Sequence, residues 1–473
     1  MKVQSMNLQI RINILLLQIF LIVINCEAQS SRELSYGKFL SLLKNTNLLA
    51  QKAENNLPFA GYQLKAAQGN FDPQLSSSYN NKQFNSKNYF SYGSAEIKQP
   101  LYTSHYLKMG YQYGQGVSIN PEFATSAIGL PYVGVEVSLL QGLLMDKRRA
   151  EIKKAKYYSD YYKDEQKIQL NELFYYASTT YMEGVYSKKI NSIYAYFSNL
   201  AQQRLEGISE LSKSGEKPAV DTIEAAIYLQ GRLLEMQASE IELSKKSTEI
   251  QTLISSSDEL VKDRIEYSDS LDQLYLSASI AIQQLLQNET ISNPLLSQYI
   301  AKQKVLETEL RLKRELIKPV LDVSYNFLSN DNQTYLQGFT TNAYKWGATF
   351  SFPLYLRKAR NEYKMAQIAV QNNELETINK QNQFSNKRKF IVEALRVCQE
   401  QINNAEKSVN YSNLLVEAEK LKFVNGESSL FLVNARENKW LENELKLAEY
   451  KLKYLKAILE LVYTDGNLNF ELS

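Results

Sequence analysis

The sequence predicts a mainly α-helical protein with membrane β-strands, in which long antiparallel coiled-coil helices are joined to a few strands and the plan is laid out twice. Three observations predict it. None of the nine prolines lies between Pro131 and Pro218 or after Pro353, so two long spans lack the strongest helix breaker. Stretches just before each span alternate polar and apolar residues with strand period. A turn reading Ser-Gly-Glu-Lys-Pro-Ala-Val-Asp-Thr-Ile-Glu at Ser214 to Glu224 also returns, altered, as Asn-Gly-Glu-Ser-Ser-Leu-Phe-Leu-Val-Asn-Ala at Asn425 to Ala435.

The amino terminus comes first. Lys2 and Arg11 precede an apolar run, Ile12 to Ile24, interrupted only by Asn13 and Gln18 and followed by Cys26-Glu27-Ala28. This describes a secretory signal, residues 1–28, cut after Ala28 and too short to span a membrane as a helix. Lipid attachment at Cys26 is the alternative, and Asn25 fits it poorly. Without the signal Cys398 stands alone, so no internal disulfide is expected and export ends in an envelope or periplasm.

The first repeat covers 29–316. Ser35 to Gly69 reads as a helix with Leu40, Leu43, Leu48, Ala53, Leu57 and Leu64 as apolar positions, bent or interrupted at Pro58, before a turn at Asn70 to Pro73. Strands are expected over about 72–140. Within that region Gln74 to Phe84 is Ser/Asn/Tyr-rich and not helical, Tyr89 to Tyr102 and Tyr106 to Gly116 alternate in part, and Pro131 to Leu140 alternates cleanly up to Gln141-Gly142. A helix over 146–212 follows, which at about 1.5 Å per residue is a rod near 100 Å long. Asp221 caps the next helix, 221–254, whose apolar positions Ala226, Leu229, Leu233, Met236, Leu243, Ile250 and Ile254 are interrupted by Glu240 and Ser247. Ser255 to Asp258 ends it. Ser268 to Gln287 and Pro294 to Leu316 supply further helices.

The second repeat covers 317–473. Pro319 to Leu328 and Lys345 to Leu354 are its strands, within about 319–354, around a polar loop from Ser329 to Asn342. A helix over 356–423 leads to the second turn. The last helix, 430–463, carries Leu441, Leu445, Ala448, Leu452, Leu455, Leu459 and Val462 at alternating spacings of four and three, a coiled-coil seam that stops at Thr464-Asp465-Gly466. Each half thus reads helix, strand, loop, strand, long helix, turn, helix. Two strands per half close nothing alone and leave open edges, so other copies of the chain are expected to complete them, in a membrane that tolerates only closed barrels.

Composition removes other classes. A net charge of +3, from 54 basic and 51 acidic side chains, gives no case for nucleic acid. The 33 tyrosines suit a boundary between water and an apolar phase. His105 is the only histidine and reads as a turn residue after Thr103-Ser104, so histidine triads and histidine metal sites are not expected. Cys398 reads as a small buried apolar residue. With no phosphate loop and no metal-spaced carboxylates, no enzyme, cofactor or metal is expected.

At this point the chain resembles the TolC-like outer-membrane efflux protein family over nearly all of its mature length. The carrying residues are Phe352-Pro353-Leu354-Tyr355 with Arg357, the counterpart Leu139-Leu140-Gln141-Gly142 with Asp146 and Arg148, the turn from Gly215 to Ala225, and Gly426-Glu427-Ser428-Ser429-Leu430. The resemblance implies a homotrimer in outer-membrane lipid, with four strands per copy in one twelve-stranded barrel. It also implies a helical tunnel in the periplasm that docks on an adaptor (membrane fusion protein) and an inner-membrane pump. Such a protein is the passive channel of a tripartite efflux or type I secretion system. Gly215, Asp221, Gly426 and Glu427 then belong to the periplasmic tips and gate, and Gly142 and Pro353 to the strand-to-helix junctions. Asp221 matches an aspartate that faces the channel axis, while the second copy has Leu432 where relatives often have another. The extra segments Tyr89 to Tyr102 and Tyr106 to Gly116 depart from the family plan: they extend the barrel strands, fold back as an external loop, or form a separate hairpin. A rival reading of the residues is a secreted periplasmic coiled-coil scaffold or adhesin without a pore.

Overall fold

The computed structural model describes residues 32–254, 265–287, 293–329 and 339–466. The signal segment with Cys26, the helix end expected at Ser255 to Asp258 and most of the loop from Ser329 to Asn342 lie outside them. The chain divides into two units, one within Met1–Lys52, Gln169–Ser292 and Phe384–Ser473, the other within Ala53–Ile168 and Asn293–Gln383.

The helix expected from Ser35 to Gly69 is three helices: α1 (Tyr36–Thr46), α2 (Leu48–Glu54) and α3 (Asn56–Gln68). The first break falls at Asn47, and a second at Asn55, three residues before the Pro58 at which an interruption was expected. Asn47 Oδ1 accepts from Leu49 N at 2.8 Å while its Nδ2 donates to Leu253 O at 2.8 Å, a local arrangement that competes with helix continuation. Pro58 is the third residue of α3, where an N–H has no partner within the helix and its loss costs nothing. The break rotates the buried face to Phe39, Leu43, Ala50 and Ala53, leaving Leu48 and Leu57 exposed.

The long helices form as the Pro-free spans require. They are α4 (Lys147–Lys213) and α8 (Arg357–Val424), of 67 and 68 residues, each followed after a short turn by a 36-residue helix, α5 (Ala219–Ile254) and α9 (Leu430–Asp465). Two further helices, α6 (Leu271–Gln287) and α7 (Pro294–Glu315), follow α5 in the chain, where two helices were expected. The α9 seam is inside: Leu441, Ala448, Leu452, Leu455, Leu459 and Val462 are buried, and Gly466 ends the helix in the left-handed conformation at φ 77°. Cys398 is half-buried against the cluster of Ile391, Leu395 and Ile402 rather than fully inside, and burial pushes its thiol pKa up. A short parallel pair absent from the sequence reading, β1 (Arg32–Leu34) and β6 (Ile265–Tyr267), packs on this unit, with the Tyr181 hydroxyl 2.8 Å from Asp269 Oδ2 and 2.9 Å from Leu34 O.

The second unit holds the sheet. Its strands are β2 (Gln74–Phe84), β3 (Lys87–Pro100), β4 (Tyr106–Gln115), β5 (Leu130–Ser138), β7 (Val320–Ser329) and β8 (Phe339–Ser351), antiparallel in the order β2-β3-β4-β5-β7-β8. The second half has the two strands expected of it, β7 and β8, whereas the first half has four in place of two, so among the described residues the sheet has six strands rather than the four per chain that the resemblance implied. The reason lies in two turns. Asn85 and Ser86 both take positive φ, 49° and 62°, the two-residue connection whose twist suits a tight hairpin, and asparagine adopts that conformation more readily than most residues. Leu101 N donates to His105 O at 2.9 Å, which closes the next turn and puts His105 where a turn residue was expected. Gln74 to Phe84 is thus a strand despite its Ser and Asn content, and the segments between Tyr89 and Gly116 lie within the sheet. In the single chain the sheet is open, with β2 and β8 at its edges.

Candidate functional site

The two turns between long helices have one geometry. Gly215 sits at φ 81° and Gly426 at φ 76°, both exposed. Gly215 N donates to Ser212 O and Glu216 N to Leu211 O, and Gly426 N donates to Phe423 O and Glu427 N to Lys422 O. Each is a Schellman cap, so the repeated Gly-Glu has a physical cause: only glycine enters the left-handed region freely, and the next residue supplies a backbone donor. The glutamate side chain is not required for this.

Asp221 is not the cap expected of it. Helix α5 starts at Ala219, directly after Pro218, so Asp221 is the third helical residue, half-buried, with its N–H donating to Pro218 O at 3.1 Å. There its charge meets the positive end of the helix dipole. The equivalent third residue of α9 is Leu432, and that helix is capped instead by Ser429 Oγ, which accepts from Leu432 N. Ser428 Oγ donates to Glu419, which holds that carboxyl below the usual range.

The turns are neighbours. Lys217 Nζ lies 4.3 Å from the Phe423 ring centroid, and Ile208, Ala225 and Leu430 form a small apolar cluster that closes the end of the four helices. One layer further in is a buried polar group that sequence reasoning missed. Arg204 on α4 donates to Asn434 Oδ1 at 2.7 Å and pairs with the fully buried Glu437 of α9, while Asn434 Nδ2 donates to Glu224 Oε1 at 3.3 Å. Lys420 on α8 lies 3.9 Å from Glu437. All four helices therefore meet in one charged layer. Its signal was available: stepping back from Leu441 by four, three and four along the seam gives Glu437, Asn434 and Leu430, two polar residues at coiled-coil core positions.

The strand-to-helix junctions belong to the sheet unit. Gly142 takes φ 84°, and the side chain of Arg149 ties its carbonyl to Asp146, whose Oδ1 accepts from Arg149 N at 3.0 Å and so caps α4. Pro353 follows β8 by two residues, where it has no N–H to extend the ladder, and Leu356 takes φ 51° just before α8. Gln141 and Pro353 both line one cleft of about 700 Å³.

The sheet itself is two-faced, and its register shows how consistently. One row across all six strands reads Leu75, Ile97, Met109, Val133, Phe327, Tyr344. The neighbouring row reads Gln74, Lys98, Lys108, Gly134, Asn326, Lys345. Apolar residues on the first face are open, with Leu75 at 74% and Met109 at 55% exposure. On the other face Lys98 lies 3.0 Å from Glu136, Lys108 pairs with the same carboxylate, and Ser138 Oγ donates to Asp322 at 2.6 Å. A sheet in water buries its apolar face and wets its polar one; here the apolar face is the bare one. No helix among the described residues is long and apolar enough to cross a membrane.

No protein-family model matches the chain, and no curated protein matches it. Solved structures do. The fold is similar to the CmeC outer membrane channel of Campylobacter jejuni, at 13% identity and TM-score 0.65, over 92% of this chain and 86% of that one. It is similar to the outer membrane protein VceC of Vibrio cholerae, at 11% identity and TM-score 0.64, over 90% of this chain and 95% of that one. It is also similar to the open state of the MtrE outer membrane channel of Neisseria gonorrhoeae, at 11% identity and TM-score 0.63, over 92% and 90%. At such identities the likeness is one of fold.

Proposed function

We propose that the chain, having the fold of solved outer-membrane channels, is one subunit of such a channel. In this reading three copies join their sheets into a barrel in the outer membrane and their helices into a periplasmic tunnel, a passive conduit for efflux or type I secretion. Residues 1–28 are the export signal, and 29–316 and 317–473 are two unequal repeats. The observation that carries the reading is the paired rows of the sheet: an exposed apolar face suits lipid, and a charged face suits a water-filled lumen. The helices support the association of copies. Val220, Ile227, Leu234 and Ile241 recur at every seventh position of α5 and are all more than 60% exposed, an apolar seam left without a partner in one chain.

The capped turns with Gly215, Asp221, Gly426 and Glu427 are then the periplasmic tips, where an adaptor and an inner-membrane pump dock. Asp221 from each copy contributes to a ring of carboxylates that favours cations. Fractionation and planar-bilayer recording test the whole. The full-length protein should sediment with outer membrane as an oligomer and conduct after reconstitution. A chain found only in soluble periplasm, without conductance, belongs instead to a scaffold or adhesin.

A further inference from the structure

We infer that all six strands of each copy stand in the barrel wall, and that the β2–β3 hairpin forms the seam to the next copy by pairing β2 with the neighbour's β8. This rests on the channel reading and adds to it the number of strands and the residues of the seam.

Four observations converge. First, the free edge of β4, which would meet a neighbour in a four-stranded plan, is occupied: β3 pairs with it from Ser91 to Pro100. Second, the hairpin is fastened across β4 and not merely laid beside it. The Tyr132 ring of β5 passes over Gly110 of β4 so that its hydroxyl donates to Glu96 of β3 at 2.6 Å, and Lys98 of β3 reaches Glu136 of β5. A side chain at Gly110 would come within 2.4 Å of that ring, so the glycine is what permits the crossing. Third, the apolar row next to the helices continues into the hairpin through Ile97 and Leu75, and Ala95 and Tyr79 lie on the same face beyond it, with Ser77, Gly93, Ser91 and Asn81 completing that face.

Fourth, the two edges suit each other. With six antiparallel strands, β2 runs opposite to β8, so β2 of one copy meets β8 of the next in the antiparallel sense that all other pairs use. Their lengths agree as well, at 11 and 13 residues. Every residue of β2 is exposed in the single chain. Open backbone donors and acceptors cannot remain so in lipid, and a head-to-tail pairing of identical copies closes a ring. Barrel diameter grows roughly linearly with strand number, so six strands per copy in place of four widen the barrel about 1.5-fold at equal copy number.

The test uses the full-length protein in outer membranes with Cys398→Ala. Single cysteines along β2 (Ser76, Ser78, Asn80) are combined with single cysteines along β8 (Lys345, Gly347, Thr349) and oxidised. Disulfide-linked oligomers for one register of pairs are expected. A water-soluble maleimide should label Ser78→Cys but not Tyr79→Cys. Deleting Gln74 to Pro100 should leave a conducting ring whose polymer-exclusion radius at the loop end is about one third smaller. Cross-links from β8 to Gln112→Cys on β4, with both faces of β2 open to the maleimide, would overturn the six-stranded wall while leaving the channel intact. A chain that neither inserts nor cross-links would overturn the channel reading, and this inference with it.

Discussion

Helices α5 and α9 have the same length and follow the same capped turn, and both bury an inward apolar seam, yet only α5 has a second apolar seam at every seventh position on its outer side. The seam of α9 runs inward and is buried from Leu441 to Val462. Helix α5 buries Ala225, Leu229, Ile250 and Ile254 on its inward side, with Arg232, Ser239 and Ser247 interrupting them, and leaves Val220, Ile227, Leu234 and Ile241 outside. Within one copy both helices contribute to the core, while the outer seam of α5 is left without a partner. Equal length and equal turns hide a division of labour.

The largest break in this comparison is expected at the charged layer of α9. Glu437→Ala leaves Arg204 without its buried partner, and removing one member of a buried pair costs about 3–5 kcal/mol. Thermal unfolding of the detergent-solubilised protein should fall accordingly, and Glu437→Gln should fall less. Next comes Leu455→Ala, a buried seam position, at about 2–5 kcal/mol. Leu234→Ser on α5 should behave in the opposite way, because that side chain is 65% exposed in the single chain. Its secondary structure by circular dichroism should stay intact while the oligomer weakens in native electrophoresis. If Leu234→Ser unfolds the chain as Leu455→Ala does, the two helices do not differ as described.

A smaller effect is expected with pH, at the ion cluster that ties α5 to α4 and α9. Glu183 lies 2.9 Å from Lys246 and 2.5 Å from Lys456. Burial pushes the Glu183 carboxyl up, but hydrogen bonds from the two lysines and their charges outweigh it and hold it below the ordinary range. For Lys246 burial acts downward and is outweighed in turn by Glu183 and Glu249, so its pKa rises. The signs follow by linkage. Glu183, lowered on folding, contributes stability above the unfolded value near about 4.3 and loses it as pH falls through its folded value. Lys246, raised, contributes below about 10.4 and loses it as pH rises through its folded value. Thermal scans below about pH 4 should thus drop more steeply in the native protein than in Glu183→Gln.

Most of the long-range plan was legible in the sequence because helices of this length need only the absence of proline and a periodic apolar face. The ends of α4 and α8, the two turns and the α9 seam all follow from that. What was not legible depended on side chains acting locally or on pairing. Asn47 broke a helix by accepting from the backbone N–H of Leu49 and donating to Leu253 O, and Asn85-Ser86 made a hairpin without the Asn-Gly that marks the commonest ones. The strand β2 lacks strand composition and is held by its partner's register. At the tips the glycines stand out in the sequence, whereas Arg204 and Glu437 do not, and Glu224 and Asn434 lie in the two turn stretches with nothing to mark them as partners. Interspersed charges look alike in a sequence whether they point to water or to one another.

The finest distinction lies between the third residues of α5 and α9. Asp221 and Leu432 follow equivalent glycines by six residues, and only the first has a charge. As an acidic group in the first helical turn Asp221 contributes about 0.3–1 kcal/mol through the dipole, so Asp221→Ala should barely change unfolding. If its carboxylate also faces the channel entrance, the same substitution should lower cation selectivity and weaken block by multivalent cations applied from the tip side, with the oligomer unchanged. Leu432→Asp should do the reverse, doubling the ring of charge. A conductance record indifferent to both substitutions would leave Asp221 with its helix-dipole role alone and remove the chemical difference between the two turns from any part in permeation.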